Sequence, residues 1–253
     1  MLEEKKELAL SFSEGLALRL EDISDGLPKD FNKVRFVQNA LALVNDTPGL
    51  AKYGKEQLYA GLTKCAVLGL DAFNKECYLI PYGDKLQFQI DYKGAKKLAK
   101  RYSIRPIHDI YAEIVRDGDD FKKEVIENET KITFKPIPFN DGEIVGAFAV
   151  CMYEDGGCVC DTMSKKELEN TRRHSKASNS MAWKDFTSEM YKKTVLHRLC
   201  KHIELDFENP AQRNYFTEDV AIDTTKSTSK ASLNDVLQQE DVYVESVQLE
   251  KDV

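Results

Sequence analysis

Apolar residues recur at helical spacing through residues 1–70, with charged residues between them. This pattern predicts three helices, at about residues 3–20, 31–44 and 55–68. Pro28 precedes the second helix, Pro48 ends it, and Gly69 is placed to cap the third. We therefore expect a helical segment before any strand.

After residue 76 the apolar positions alternate with polar ones, which is the period of a strand. Leu86, Phe88 and Ile90 form one such series, and a turn at Gly83 and Asp84 joins it to the preceding apolar run. We expect a hairpin over residues 76–91 and further strands near residues 104–115, 121–126, 131–135, 143–153 and 158–163. Helical spacing returns at residues 164–172 and 181–201.

The order of these elements predicts an α+β fold, a mainly antiparallel β-sheet flanked by helices, with N-terminal helices and a long C-terminal helix. Apolar density falls after Pro210, and residues 224–232 are polar and of low complexity. We expect one domain over residues 1–210 and an acidic, largely disordered tail over residues 211–253, with a short helix near Leu233–Leu237. Such a tail either contacts a partner or is merely solvated.

The composition is that of a globular protein, with 42% apolar and 31% charged residues. No apolar run reaches the roughly 18 residues that cross a membrane, and the charged N-terminus does not resemble a signal peptide. The six cysteines are irregularly spaced, which is typical of reduced thiols in a cytoplasmic protein.

The net charge of −7 argues by itself against a nucleic-acid partner, but the charge is unevenly distributed. Residues 217–253 carry nine acids and three bases. Residues 85–105 carry seven bases and one acid, and residues 164–202 carry ten bases and four acids. Two basic segments in an otherwise near-neutral body predict a surface that binds a polyanion.

The first basic segment is predicted to form a helix with its cations on one side and its apolar residues on the other. No acid follows Asp91 within that helix, so the cations lack partners at i,i+4 spacing. A charged stripe is often only a solvated surface, but unrelieved repulsion favours an anionic ligand. The stripe comprises Lys93, Lys96, Lys97, Lys100 and Arg101, and we expect Gln87, Gln89 and Tyr92 beside it.

The second basic segment combines a loop and a helix, where serine hydroxyls and a helix start would supplement the cations in binding phosphate. Trp183 shares a helical stripe with Met190, and we expect it in the core, with base stacking as the alternative. The cations are Arg172, Arg173 and Lys176 at the loop, and Lys184, Lys192, Lys193 and Arg198 around the helix.

Catalytic signals are weak. The sequence lacks the glycine-rich phosphate loop of ATPases, and the cysteines at positions 151, 158 and 160 lack the spacing of a zinc site. The strongest enzymatic alternative is a metal-dependent nuclease using Asp84, Asp91 and Lys93, although Asp84 belongs at a hairpin tip, far from Asp91. We therefore expect no catalytic residues, no metal and no other cofactor.

Residues 69–101 and 178–201 resemble the RecT family of phage single-strand annealing recombinases. The first segment carries the motifs GLDA, YLIPYG and DYKG, and the second carries AWKDFTSEMYKK. Both segments stand in the family's order and separation, and the resemblance spans about residues 11–208. Two positions depart from the family pattern, since Ala72 replaces a proline and Asp91 replaces a glycine.

The resemblance implies an ATP-independent protein that binds single-stranded DNA, anneals complementary strands in phage homologous recombination and holds the annealed duplex intermediate. It implies a homo-oligomer, as a ring or helical filament, rather than an enzyme. The implied partners are a 5′-to-3′ exonuclease and the single-strand-binding protein of a bacterial host, in whose cytoplasm the chain would act. Residues 1–210 would then bind DNA, anneal and oligomerise, with the cations above on phosphates, and the tail would contact a partner. A purely structural assembly protein is the remaining alternative.

Overall fold

Helices and strands alternate in blocks along the computed structural model, which describes residues 2–127, 129–175, 178 and 181–227. The helices are α1 Leu2–Asp22, α2 Lys33–Asp46, α3 Gly54–Val67, α4 Tyr92–Tyr102, α5 Lys165–His174, α6 Met181–Asp185, α7 Thr187–Cys200 and α8 Pro210–Ser227. The strands are β1 Cys77–Tyr82, β2 Lys85–Ile90, β3 Ile107–Arg116, β4 Asp120–Ile126, β5 Glu129–Lys135, β6 Ile144–Tyr153 and β7 Cys158–Ser164. The α+β class and the antiparallel strands predicted from the sequence are confirmed.

The strands form three separate sheets within the described residues, where the sequence suggested one. They are the β1–β2 hairpin, a three-stranded sheet in the order β3–β6–β7, and the β4–β5 hairpin, all antiparallel. Phe121 and Phe134 of the second hairpin pack on Phe148 of β6 with ring centroids 4.8 and 5.0 Å away. That hairpin therefore covers one apolar face of the three-stranded sheet instead of extending its edge.

The long helix predicted over residues 181–201 is wrong in one respect, because it is broken at Phe186 into α6 and α7. Phe186 has φ −124° and ψ 40°, outside the helical region. The Thr187 hydroxyl donates to the Trp183 carbonyl oxygen at 2.8 Å. The same kind of hydroxyl bond occurs inside the unbroken helices α5, α7 and α8, so it accompanies the break at Phe186 without explaining it.

Helix α4 lies between two apolar cores. Ala95 and Leu98 belong to the core built by α1, α2, α3 and the β1–β2 hairpin. Ala99 belongs to the core between the three-stranded sheet and α5, α6 and α7. Because both cores contact it, α4 is fixed at the boundary between two halves of the fold. We call the half around the first core the helical half, and the half around the second core the sheet half.

The folded unit extends past residue 210, where the sequence placed the start of the tail. Gln212 of α8 is fully buried and donates to the Val67 carbonyl oxygen and to the Tyr102 hydroxyl, both at 3.1 Å. Tyr215 and Phe216 pack on the first core. The chain divides into units 1–219 and 220–253, and the helix predicted near residues 233–237 lies outside the described residues.

Across the described part of the chain, no helix combines the length and the apolar character that crossing a membrane requires.

Candidate nucleic-acid interface

The start of α4 is held against the β1–β2 hairpin by main-chain contacts. The Asp91 N–H donates to the Glu76 carbonyl oxygen at 3.0 Å, and the Asp91 carboxylate caps the helix by accepting from the Lys93 N–H at 3.4 Å. A Cβ atom on Gly94 would lie 2.1 Å from that same Glu76 oxygen. Only glycine therefore permits this approach, which accounts for the glycine of the YKG motif.

The outer face of the β1–β2 hairpin leads into this helix start. The strands pair Tyr78 with Gln89 and Tyr82 with Lys85, while the alternate residues Phe88 and Ile90 are buried. Cross-strand partners lie on the same face of a hairpin. The structure therefore confirms the polar outer face of β2, and Gln87 and Gln89 share it with Tyr78, Tyr82 and Lys85.

The cations of α4 are paired with carboxylates, contrary to the sequence expectation of unrelieved charge. Lys96 and Lys100 share Asp109 at 3.5 and 3.4 Å. Lys97 pairs with Glu76 at 2.7 Å, and Arg101 pairs with Asp30 at 2.6 Å. The expectation considered only acids on the helix itself, whereas each partner comes from another element.

Because of these pairings, the cations of α4 point in two different directions. Lys96 and Lys100 turn towards the edge strand β3. Lys97 and Arg101 line a cleft of about 320 Å³ on the side of α2. Lys93, at the start of the helix, is exposed. The five cations therefore do not form a single surface.

Asp109 lies beside an irregularity in β3. The pairing of β3 with β6 shifts between Ile107 and Asp109, which is the mark of a β-bulge. Partial burial raises the pKa of Asp109, but the Ile110 N–H and the two lysines outweigh burial and leave the pKa below its ordinary value. Lys96 also donates to the Ile110 carbonyl oxygen.

The two basic segments meet where α4 begins. The Lys193 ammonium of α7 lies 5.0 Å from the ring centroid of Tyr92, within cation–π range. Burial raises the pKa of Asp91, and the Lys93 N–H and the Lys193 charge partly offset it. Burial also raises the pKa of Tyr78, and the nearby Asp91 charge adds to it. We call this cluster of Tyr78, Asp91, Tyr92, Lys93 and Lys193 the junction.

Other cations of the second segment are distributed around the sheet half. Lys192 pairs with Glu113 of β3 at 3.6 Å and with Glu189 at 3.1 Å. Arg198 binds both oxygens of Asp161 in β7 at 2.5 and 2.6 Å. A bidentate pair of this kind joins α7 to the sheet. Arg198 is therefore committed to the fold.

Trp183 is in the core, as expected, since only 4% of it is exposed. The Arg172 guanidinium lies 5.7 Å from its ring centroid and donates to the Ser178 carbonyl oxygen at 3.2 Å. Arg173 and Lys184 are exposed, and Lys176 lies outside the described residues.

The geometry does not support the nuclease alternative. Asp84 lies in the turn and Asp91 follows the other end of β2, so six residues of extended strand separate them, roughly 20 Å. Two carboxylates that far apart do not share a metal ion. Cys151 packs in the core on one sheet face and Cys158 and Cys160 on the other, so they do not converge.

Sequence reasoning missed Tyr78 and Tyr82 as members of this surface, and it counted Lys85 only among the bases of the first basic segment. The signal was present, because these residues occupy the alternate positions of β1 and β2 that face away from Phe88. Their proximity to the start of α4 depends on the close approach at Gly94, which alternation alone does not reveal.

Comparison with known proteins agrees with the motif resemblance. The model of the RecT family matches residues 34–231, which include both basic segments. Protein RecT of Escherichia coli (strain K12) is 29% identical over 198 residues, covering 74% of this chain and 72% of that protein.

Proposed function

Because this chain belongs to the RecT family, we propose that it binds single-stranded DNA and anneals complementary strands without ATP, in phage homologous recombination. The observation that carries the proposal is the junction, where two basic helices and a tyrosine-bearing hairpin face meet. Cations of this kind neutralise phosphates, and tyrosine rings stack on bases without sequence preference. The mechanism is therefore a templating one, in which base pairing supplies the specificity.

Within the predicted site, the residues take different roles. Lys93 and Lys193 contact phosphates at the junction, and Lys96, Lys100 and Lys192 extend this track along β3. Gln87 and Gln89 donate from the hairpin face. Tyr78 stacks on bases from the same face, and Tyr92 does so from the start of α4. Arg172, Arg173, Lys176 and Lys184 form a second contact region. Lys97 and Arg101 lie on the cleft side of α4, and Arg198 supports the fold.

The carboxylates beside these lysines do not prevent DNA binding. The paired side chains of Lys96, Lys100 and Asp109 are 34–44% exposed, so the pairs are accessible to solvent and salt. Exposed pairs contribute little free energy, about 0.2–1 kcal/mol each. A phosphate of the strand therefore replaces Asp109 at low cost.

The working assembly is a homo-oligomer, a ring or helical filament, that holds one strand extended and retains the annealed duplex intermediate. Its proposed partners are a 5′-to-3′ exonuclease that supplies single strands and the host single-strand-binding protein. The bacterial cytoplasm is the proposed location. The family relationship and the paired basic segments support these proposals.

The test is an annealing assay with two complementary fluorescent strands, in the absence of ATP and of other proteins. We expect pairing to be accelerated. A labelled single strand incubated with Mg²⁺ serves as the control, and its shortening would support the nuclease instead. A chain that neither binds nor anneals DNA would be a structural assembly protein.

The junction is tested by the double variant Lys93→Ala with Lys193→Ala. We expect weaker binding of DNA. The slope of log affinity against log salt should become shallower by about 1.4, or 0.7 for each lost phosphate contact. The matched control is Lys122→Ala with Lys131→Ala, which removes two exposed lysines from the β4–β5 hairpin. An equal loss in both variants would show a general charge effect and no specific site.

A further inference from the structure

The β1–β2 hairpin is a sheet of two strands in the described part of the chain. A hairpin of this size is marginally stable in water unless it packs against another element. Its base is held by the contact between the Asp91 N–H and the Glu76 carbonyl oxygen. Each strand has six residues, so the turn at Gly83 and Asp84 lies roughly 20 Å from that contact. The far end of the hairpin therefore needs a support of its own.

Helix α3 packs along the inner face of this hairpin. A Cβ atom on Gly61 would lie 2.5 Å from Cδ2 of Leu79, and Sγ of Cys65 lies 3.1 Å from Sγ of Cys77. Leu79 and Cys77 are buried residues of β1. Gly61 and Cys65 are four residues apart and therefore lie on the same side of the helix. This side of α3 supports the inner face, and the outer face of the hairpin remains accessible.

Near the turn, this support consists of hydrogen bonds to the main chain. Gln57 lies four residues before position 61, on the same side of α3. Its amide donates to the Asp84 carbonyl oxygen and accepts from the Leu86 N–H, both at 2.9 Å. The Tyr53 hydroxyl donates to the Gly83 carbonyl oxygen at 3.2 Å. Three main-chain groups at the far end of the hairpin are therefore fixed to α3.

The two hydrogen bonds of Gln57 lie on either side of Lys85. The Asp84 carbonyl belongs to the peptide unit before Lys85, and the Leu86 N–H belongs to the peptide unit after it. Fixing both peptide units fixes φ and ψ of Lys85, and with them the direction of its side chain. Lys85 pairs with Tyr82 across the strands and is exposed on the outer face. Gln57 therefore orients an exposed cation without lying on the outer face itself.

The surface around the turn is basic. We call residues 52–57 and 82–86 the tip, and they include three lysines and two acids. One of the acids, Glu56, pairs with Arg19 of α1. Lys52 is exposed. A DNA strand that follows the outer face of the hairpin away from the junction would therefore reach an excess of positive charge at the tip.

We propose that Gln57 is a positioning residue for single-stranded DNA, which orients Lys85 so that it contacts a phosphate at the tip. The proposal rests on the proposed function and deepens it, because it extends the DNA track from the junction along the outer face of the hairpin. Gln57 acts through Lys85 and does not contact DNA. Because the main chain of Lys85 is already fixed, less entropy is lost when its side chain binds a phosphate.

The test compares Gln57→Leu, Lys85→Ala and the double variant in the full chain. Gln57→Leu keeps a side chain of similar size and removes both hydrogen bonds. Fluorescence anisotropy with a labelled oligothymidine measures affinity across a salt series. We expect each single variant to weaken binding about three- to tenfold, and Lys85→Ala to make the salt slope shallower by about 0.7. The double variant should bind like Lys85→Ala, because Gln57 acts only through that lysine.

Asn140→Leu is the matched control. The Asn140 amide also holds two main-chain groups, the Asp117 carbonyl oxygen at 3.0 Å and the Gly142 N–H at 2.8 Å, but in the loop between β5 and β6. It should bind DNA like the unchanged chain, and chemical denaturation checks that every variant is folded. A loss of affinity from Gln57→Leu that is equal with and without Lys85 would be a general structural effect and would overturn the positioning role.

The double variant Lys93→Ala with Lys193→Ala separates this inference from the proposed function. If it weakens binding while Lys85→Ala and Gln57→Leu do not, only the inference about the tip is wrong. If Lys85→Ala weakens binding and Gln57→Leu does not, Gln57 is not a positioning residue. If the unchanged chain does not bind the oligothymidine, the proposed function fails, and the inference fails with it.

Discussion

The carboxylate of Asp109 lies between two lysines one helical turn apart, Lys96 and Lys100. A phosphate group of a bound strand has the same charge sign and would occupy the same place. Asp109 therefore competes with DNA for these lysines. Because both pairs are partly exposed, the competition weakens as salt screens it.

We expect Asp109→Asn to bind single-stranded DNA about two- to fivefold more tightly at low salt, since it removes the competing charge. The amide oxygen still accepts from the Ile110 N–H, so the fold is retained. Fluorescence anisotropy across a salt series measures the change, and the gain should shrink as salt increases.

Two control measurements test whether the gain in DNA affinity comes from the contact of Asp109 with the two lysines. Glu143→Gln removes a charge that pairs with Lys165, away from the junction, and should leave affinity unchanged. Asp109→Asn should also have no effect once Lys96 and Lys100 are both alanine. A similar gain in affinity from all three changes would mean that net charge alone is responsible.

At the scale of elements, the position of α4 depends on Gly94. Its main chain contacts the Glu76 carbonyl oxygen at the base of the hairpin, and the Asp91 N–H binds the same oxygen. This contact sets the hairpin face and the helix cations side by side. The junction is therefore a property of how two elements pack, rather than of either one.

We expect Gly94→Ala to lower the free energy of unfolding by about 1–3 kcal/mol, because its Cβ overlaps with a main-chain atom that has little freedom to move. DNA affinity should fall as α4 shifts from the hairpin. Chemical denaturation and anisotropy measure the two effects. Gly26→Ala is the control, since no atom lies within 4 Å of its added Cβ; equal stability of the two variants would contradict the packing argument.

At the scale of the whole molecule, the beginning of α8 packs on the first core. Gln212 bonds to α3 and α4, and Lys64 pairs with Glu218 at 2.7 Å. The sequence after residue 219 is different in character, with seven acids and three bases. The first compact unit therefore ends near residue 219.

We expect a chain ending at residue 219 to keep its unfolding temperature and its annealing activity. It should bind DNA slightly more tightly at low salt, because a tethered acidic segment is removed. A chain ending at residue 210 should lose about 2–5 kcal/mol of stability, since it exposes the surfaces that Gln212 and Phe216 cover. Thermal unfolding distinguishes the two, and equal stability would restore the boundary at residue 210.

The sequence by itself determined the local elements. Helix and strand periods depend on neighbours within a few residues, so the hairpin at residues 76–91 and the later strands appear at their predicted places. The two family motifs and the basic segments were also visible, as was the burial of Trp183. The break at Phe186 was not predicted, because the helical spacing of apolar residues continues through it.

Only the tertiary structure decided which charges meet. Arg101 and its partner Asp30 are 71 residues apart, and Arg198 and Asp161 are 37 apart, so no helical period relates them. The same applies to Lys193 above Tyr92 and to the separation of the strands into three sheets. Coulombic and packing energies depend on the distance between two groups in space. The number of residues between them in the sequence does not determine that distance, which is known only once the chain is folded.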